Sequence, residues 1–218
     1  MDFINAIILL SNFVIVPSIT YGSQLALGAI GVTLIYGVLR FANFAYGDLM
    51  AFGTMCVILF TWLLKSWGIS LGILPTALLA LPFGIVLTIG VSLFFDRTVF
   101  EYYRNKKSSP VTFIVVSLGI MFVLNAVVRI IIGPNDIVFM DGARFIISAV
   151  EFRETTGLLE GLTIKSTQVI TIITTSITCY LLFNFLNKTK TGKSMRAYSN
   201  NEDLALLSGI NPDRVVFI

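Results

Sequence analysis

The chain has 218 residues, of which 56% are hydrophobic and only 12% charged, with a formal net charge of +3. A mean hydropathy of +0.90 and roughly half the charge of a soluble domain exclude an ordinary water-soluble globule and identify an integral membrane protein. So small a net charge does not suggest nucleic acid, and the absence of histidine removes the commonest metal ligand and general base.

Cys56 and Cys179 lie in separate apolar stretches without metal-ligand spacing. They read as packing residues, and no cofactor is implied. No nucleophile–base pair is visible, so a membrane enzyme has the least support. The first residues carry Asp2 rather than Lys or Arg, and the stretch lacks an A-x-A-like cleavage site, so the first apolar stretch is expected to stay in the mature protein.

Residues 3–39 carry no charge. One helix of that length would reach about 55 Å, against a hydrocarbon core of about 30 Å. A break is therefore expected at Pro17 and Tyr21-Gly22-Ser23-Gln24, leaving a span over 22–39 and a shorter interfacial or partly inserted helix over 3–16. Gly22, Ala26, Ala29, Thr33 and Gly37 fall on one face of that span, a pattern that lets membrane helices approach closely.

In the next stretch, RFANFAYGDLMAFG over 40–53, Asn43, Gly47 and Asp48 interrupt the apolar run. Asp48 is the only acid between Asp2 and Asp96, and an ionisable group near a span is costly and often functional. Two readings are open. Asn43 or Asp48 caps the helix that runs to about Leu64, or the residues belong to a discontinuous helix lining a substrate path.

A span fits 71–95, delayed or kinked by Pro75 and Pro82. The loop DRTVFEYYRNKKSSP over 96–110 carries Arg97, Arg104, Lys106 and Lys107. The next span, 111–133, ends at Gly133-Pro134, with Arg129 near its end and able to snorkel. Residues 134–166 are polar, with five acids (Asp136, Asp141, Glu151, Glu154, Glu160) against three bases (Arg144, Arg153, Lys165). IVFMDGARFIIS and LTIKS there suit short strands or an interfacial helix. A last complete span fits 167–187, whose Ser and Thr hydroxyls can bond to helix carbonyls.

The polar loop 188–214 holds a short helix. Ser199 and Glu202 have capping-box spacing, Glu202 and Asp203 suit the positive end of the dipole, and Gly209 fits a left-handed stop. Ile210 would then fold back on Leu204 or Ala205. A helix of about eight residues does not persist alone in water, so it needs a surface; a solvated connector and a docking helix for a cytoplasmic partner are both open. The bases in 96–110 and 188–214 put both loops in the cytoplasm and turn 134–166 outward. If 3–39 crosses once, the N-terminus lies outside; if 3–19 crosses too, it lies inside.

Three blocks carry a family likeness. GAIGVTLIYGVLRFANFAYGDLMAFG, DRTVFEYYRNKKSSP and TGKSMRAYSNNEDLALLSGINPDRVVFI, in that order and over nearly the whole chain, resemble bacterial branched-chain amino acid ABC permeases of the LivH type. The resemblance implies an all-α polytopic transmembrane helix bundle of about five to six spans with a short cytoplasmic coupling helix. Residues 1–218 would be a single ABC-transporter transmembrane domain, incomplete at its C-terminus because family members continue for about two or three more hydrophobic segments; the fragment alone is not expected to transport. Tyr46 stands where the family typically has His, and EYYRNKK replaces its Tyr-Arg-Pro pattern.

The likeness further implies a subunit of the bacterial inner membrane that moves branched-chain or other hydrophobic amino acids into the cytoplasm. Its partners would be ATP-binding cassette ATPase subunits, a second permease subunit and an extracytoplasmic substrate-binding protein. The chain has no phosphate-binding G-x-x-x-x-G-K-[ST] loop of its own. Asn43, Gly47 and Asp48 would line the substrate pathway. Gly192, Arg196, Ala197, Glu202, Ala205, Gly209 and Ile210, within the 188–214 coupling loop, would meet the ATPase. A urea or short-amide permease, and a channel or scaffold without ATP linkage, are the alternatives.

Overall fold

The computed structural model describes residues 2–72, 74–135, 138–142 and 145–210. Asp136, Arg144, Arg214 and the apolar run 215–218 lie outside the described residues, and Glu202 is described by its backbone alone. Lipid offers the backbone no hydrogen-bond partner, so apolar runs resolve into helices that bond internally. Among the described residues, five helices are long and apolar enough to cross a membrane: Phe3–Leu39, Ala45–Ser66, Ala77–Asn105, Pro110–Ile132 and Ser166–Lys188. The chain is an all-α polytopic membrane protein, and among the described residues strands are confined to one small ribbon.

The expected break at Pro17 does not occur. Helix α1 (Asp2–Leu10) passes through a π turn (Ser11–Ile15) directly into α2 (Val16–Leu39). The N–H of Val16 reaches back five residues to the Ser11 carbonyl. The hydrogen-bond ladder thus changes register immediately before Pro17, where the imide has no N–H to give, and a π turn is one of the ways a helix absorbs such a residue.

The second correction concerns residues 96–110. Helix α4 (Ala77–Phe95) starts two residues after Pro75, takes Pro82 into its second turn, and runs through another π turn (Asp96–Phe100) into α5 (Glu101–Asn105). The connection to α6 (Pro110–Ile132) is only residues 106–109. The Arg104 guanidinium clamps Asp96 with two bonds, Nη1–Oδ1 at 2.6 Å and Nη2–Oδ2 at 2.9 Å. This bidentate pair ties the far end of the extension across the π turn. Ser109 then leads into Pro110 at the first helical position, where a missing N–H costs nothing.

The chain divides into two compact units, residues 1–31 with 143–200 and residues 32–142 with 201–218. In the first, β1 (Phe145–Ile147) pairs antiparallel with β2 (Ile164–Lys165), and α7 (Ala149–Thr156) lies between them in sequence. Strands and a short helix both form where the polar segment was expected to hold one or the other. Asn12, inside the π turn, holds this ribbon's approach: its Nδ2 donates to the Gly161 carbonyl at 2.8 Å and its Oδ1 accepts from Thr163 N–H at 2.9 Å. Helix α8 (Ser166–Lys188) follows, then α9 (Lys190–Asn200).

In the second unit, α3 (Ala45–Ser66) packs on both α4 and α6. A Cβ added at Gly53 would come within 2.7 Å of Thr88 Oγ1, and one at Gly84 would strike Val57 Cγ2 and approach the Gly53 carbonyl to 3.3 Å. These pairings run α3 and α4 in opposite directions at close range, which only small residues permit. On α2, added Cβ atoms at Gly22, which belongs to the small-residue face, and at Gly28 would meet nothing within 4 Å. The core gathers Phe41, Ala45, Phe100, Phe113, Ile120 and Leu124. The Phe41 ring stacks on Phe113 at 5.0 Å and tilts against Phe100 at 5.7 Å.

Candidate functional site

The helical run from the N-terminus stops at Leu39 because Arg40 takes a left-handed backbone, φ 61°. The chain then turns Phe41 into the aromatic core and restarts as α3 at Ala45. The restart is organised by Asn43, whose Oδ1 accepts from Ala45 N–H at 3.1 Å in an Asx turn. The Phe44 N–H donates to Ser117 Oγ of α6 at 3.2 Å, and Ser117 is fully buried. The expected cap by Asn43 or Asp48 does not form: the N-cap of α3 is Phe44, without a side-chain cap bond, and Asn43 serves the helix start only through its Asx turn.

Asp48 is turned elsewhere. It lies in the first turn of α3, and its Oδ1 accepts from Asn125 Nδ2 at 3.0 Å. Asn125 Oδ1 in turn accepts from Arg129 Nε, one turn further along α6, at 2.9 Å. Asp48, Ala51, Ile58 and Trp62 share one face of α3; Asn125, Val128, Arg129 and Ile132 share one face of α6. Together with residues 133–135 they line a cleft of about 290 Å³. Gly47 is exposed, and a Cβ there would meet nothing within 4 Å. The structure thus brings Asp48, but neither Asn43 nor Gly47, into the cleft. Asn125 and Arg129 are the members that sequence reading missed as a pair. The available signal was two polar residues four apart inside an apolar span.

A second polar junction stands where α3 ends and α4 begins. Asp141 is almost wholly buried, its side chain 3% exposed, and pairs with Lys65 Nζ at 2.7 Å. Its other oxygen accepts from Ala77 N–H at 2.6 Å, capping α4 from a distant part of the sequence. Burial pushes this carboxyl upward, but the Lys65 ammonium and the Ala77 and Thr76 donors outweigh it and hold Asp141 below the ordinary carboxylate value. Gly142, at φ 73°, lets the strap lie against Pro75, whose nitrogen would be 2.8 Å from an added Cβ.

Five of the seven residues expected in the coupling segment fall on two helices, and Gly209 and Ile210 follow the second. Gly192, Arg196 and Ala197 lie on α9, and Gly192 is pressed against α8: an added Cβ would strike the Phe185 carbonyl and come within 2.5 Å of Leu186 Cα. Thr189 Oγ1 caps α9 by accepting from Gly192 N–H at 3.0 Å. Arg196 and Ala197 are exposed. Glu202 and Ala205 lie on α10 (Glu202–Leu207). The expected Ser199 cap is corrected: Ser199 sits inside α9, and Asn201 Oδ1 caps α10 by accepting from Leu204 N–H at 3.1 Å. An N-cap needs extended backbone, and Asn201 has it, at φ −152° and ψ 109°.

The end of α10 follows its local sequence. Gly209 is left-handed at φ 78°, its N–H bonds to the Leu206 carbonyl at 3.0 Å, and Ile210 N–H reaches back to Ala205 at 3.1 Å. That is a Schellman stop. Ala205 is buried, while Leu204, Leu206 and Leu207 are exposed, Leu207 by 85%.

The model of the permease component of branched-chain amino acid transport systems matches residues 14–218. The high-affinity branched-chain amino acid transport system permease protein LivH of Escherichia coli K12 is 26% identical over 202 residues, covering 91% of this chain and 62% of that protein. LivH of Salmonella typhimurium is 26% identical over 203 residues, with the same coverage of both chains. The permease protein BraD of Pseudomonas aeruginosa is 23% identical over 211 residues, covering 93% of this chain and 63% of that protein. The chain thus spans somewhat less than two thirds of the curated relatives it matches. No solved structure gives a significant match.

Proposed function

The chain belongs to the family of branched-chain amino acid transport permease components, and from that premise we propose that it is a membrane-spanning subunit of an ABC importer in the bacterial inner membrane. In this reading it moves branched-chain or other hydrophobic amino acids into the cytoplasm, and partner subunits hydrolyse the ATP. An extracytoplasmic binding protein delivers the solute to the 134–166 side, and a second permease subunit completes the pathway. The break before α3, with Asn43, Gly47 and Asp48, borders the path. The α9–α10 segment receives the ATPase on the cytoplasmic side, with Gly192 seating α9 on α8, Arg196 and Ala197 exposed on α9, and Glu202, Ala205, Gly209 and Ile210 defining α10.

The observation that carries this reading is α10. It is a six-residue helix, too short to hold itself in water, yet capped at both ends, with Leu204, Leu206 and Leu207 exposed. Such a helix is built to be covered, and a rigid lever for an ATP-driven partner accounts for it.

The test uses the full-length protein assembled with its ATPase, measuring ATP hydrolysis and solute uptake together. Arg196→Glu and Leu206→Pro are expected to leave hydrolysis running while uptake is lost. Normal uptake by both variants overturns the lever. Absence of an ATP-hydrolysing subunit from the purified native complex overturns the importer and favours a channel or scaffold.

A further inference from the structure

The cleft between α3 and α6 has a division of charge that the pathway reading does not explain. Asp48 and Arg129 both face it, yet among the described residues they form no ion pair with each other. The Asn125 amide stands between them, donating to Asp48 Oδ1 at 3.0 Å and accepting from Arg129 Nε at 2.9 Å. Each charge is thereby held by one bond only. Asp48 Oδ2 and the two Nη groups of Arg129 have no partner among the described residues. A carboxylate and a guanidinium on facing helices attract each other, and paired directly they would satisfy each other. Bridged by a neutral spacer and not paired directly, they remain two separate, opposite binding ends.

Apart from Asn135 at one end, the rest of the cleft is largely apolar, walled by Ile58, Trp62, Val128 and Ile132. Its volume of about 290 Å³ is at the small end of ligand pockets. A neutral amide has no use for two full charges of opposite sign. A molecule with an ammonium group, a carboxylate and a short apolar side chain fills all three parts. Ionisable groups kept inside spans are expensive and mark solute pathways.

We propose that Asn125 is the spacer of a two-ended clamp in which Asp48 takes the ammonium and Arg129 the carboxylate of a small apolar zwitterion. The membrane subunit itself therefore selects for zwitterions. This rests on the reading of Asp48 as a path residue, but it concerns binding and can fail separately from transport.

Trp62 lines the cleft, and the chain has only two tryptophans, Trp62 and Trp67. The full chain carrying Trp67→Phe, reconstituted in lipid nanodiscs, therefore reports the cleft by Trp62 fluorescence. L-leucine is titrated against isoamylamine, isovalerate and isovaleramide, which keep the ammonium, the carboxylate or neither. L-leucine is expected to shift the emission, with each analogue weaker by about tenfold or more, the loss of one charged hydrogen bond. Asn125→Ala, which frees Asp48 and Arg129 to pair directly, is expected to weaken L-leucine by a similar factor while thermal unfolding stays cooperative. No response to L-leucine, an equal response to isovaleramide, or unchanged L-leucine affinity in Asn125→Ala overturns the clamp. A response that survives while Asp48→Asn transports normally in the assembled importer leaves the clamp standing and removes it from the path.

Discussion

Lys65 and Asp141 stand 2.7 Å apart, 76 positions separated in sequence, and the same carboxylate caps the first turn of α4 through Ala77. One nearly buried side chain therefore fastens the end of one span to the start of the next. Lys65 is 39% exposed, so solvent screens part of its share, and the Ala77 N–H adds to the anchoring.

This junction makes stability depend on pH. The folded-state value of Asp141 lies below its ordinary 3.8. Its contribution is complete above that value and is lost as the pH falls below it through the folded-state value. Thermal unfolding in detergent should show Asp141→Asn destabilised at pH 7 by about 1–2 kcal/mol. The gap to the parent should close as the pH is lowered through and below 3.8. A gap that is constant with pH contradicts the ionised anchor.

The α3–α4 crossing depends on the absence of side chains. Gly84→Ala places a methyl against Val57 and the Gly53 backbone, and overpacking of this kind costs about 1–3 kcal/mol. Gly47→Ala adds its methyl in open space and should be neutral or slightly stabilising, since alanine is the better helix former. Unfolding midpoints of the two variants measured side by side check the contrast; equal effects contradict the crossing.

Asn12 joins the first π turn to residues 161–163 by two hydrogen bonds. Asn12→Leu removes both and leaves a half-buried donor and acceptor unpaired, at about 1–3 kcal/mol. Hydrogen exchange should rise at Thr163, whose N–H loses its acceptor, before it rises in the body of α8. Unchanged protection of Thr163 would show that the ribbon is held by other contacts.

The cap assignment on α10 is equally direct. Asn201→Ala should cost the short helix about 1 kcal/mol and speed exchange at Leu204, whose N–H it accepts. Ser199→Ala should leave Leu204 unaffected. The reverse order of effects would restore Ser199 as the cap.

The two S-x-x-E spacings show what local sequence does and does not decide. At 199–202 the pattern is present, but Ser199 lies inside α9 and does not cap α10. At 148–151 the same spacing does form a cap: Ser148 Oγ accepts from Glu151 N–H, at 3.2 Å. A cap forms where the preceding backbone is extended, as at Ser148 with ψ 151°, and what precedes a residue depends on how the neighbouring element packs. Thr189 caps α9 in the same way, although the stretch after it reads as a polar loop.

Properties summed over many neighbouring residues were determined by the sequence alone. The membrane class, the approximate extents of the apolar spans, the family likeness and the left-handed stop at Gly209 all arise within a few turns of chain, where hydropathy and backbone sterics act locally. Contacts between distant residues were decided only by the tertiary structure. Asp48 finds Asn125, Lys65 finds Asp141, Asn12 finds Gly161 and Thr163, and Gly53 meets Thr88. A polar group in an apolar surrounding must take a partner, but which partner depends on the faces that helix packing brings together, and that choice has no signature in the residues on either side of it.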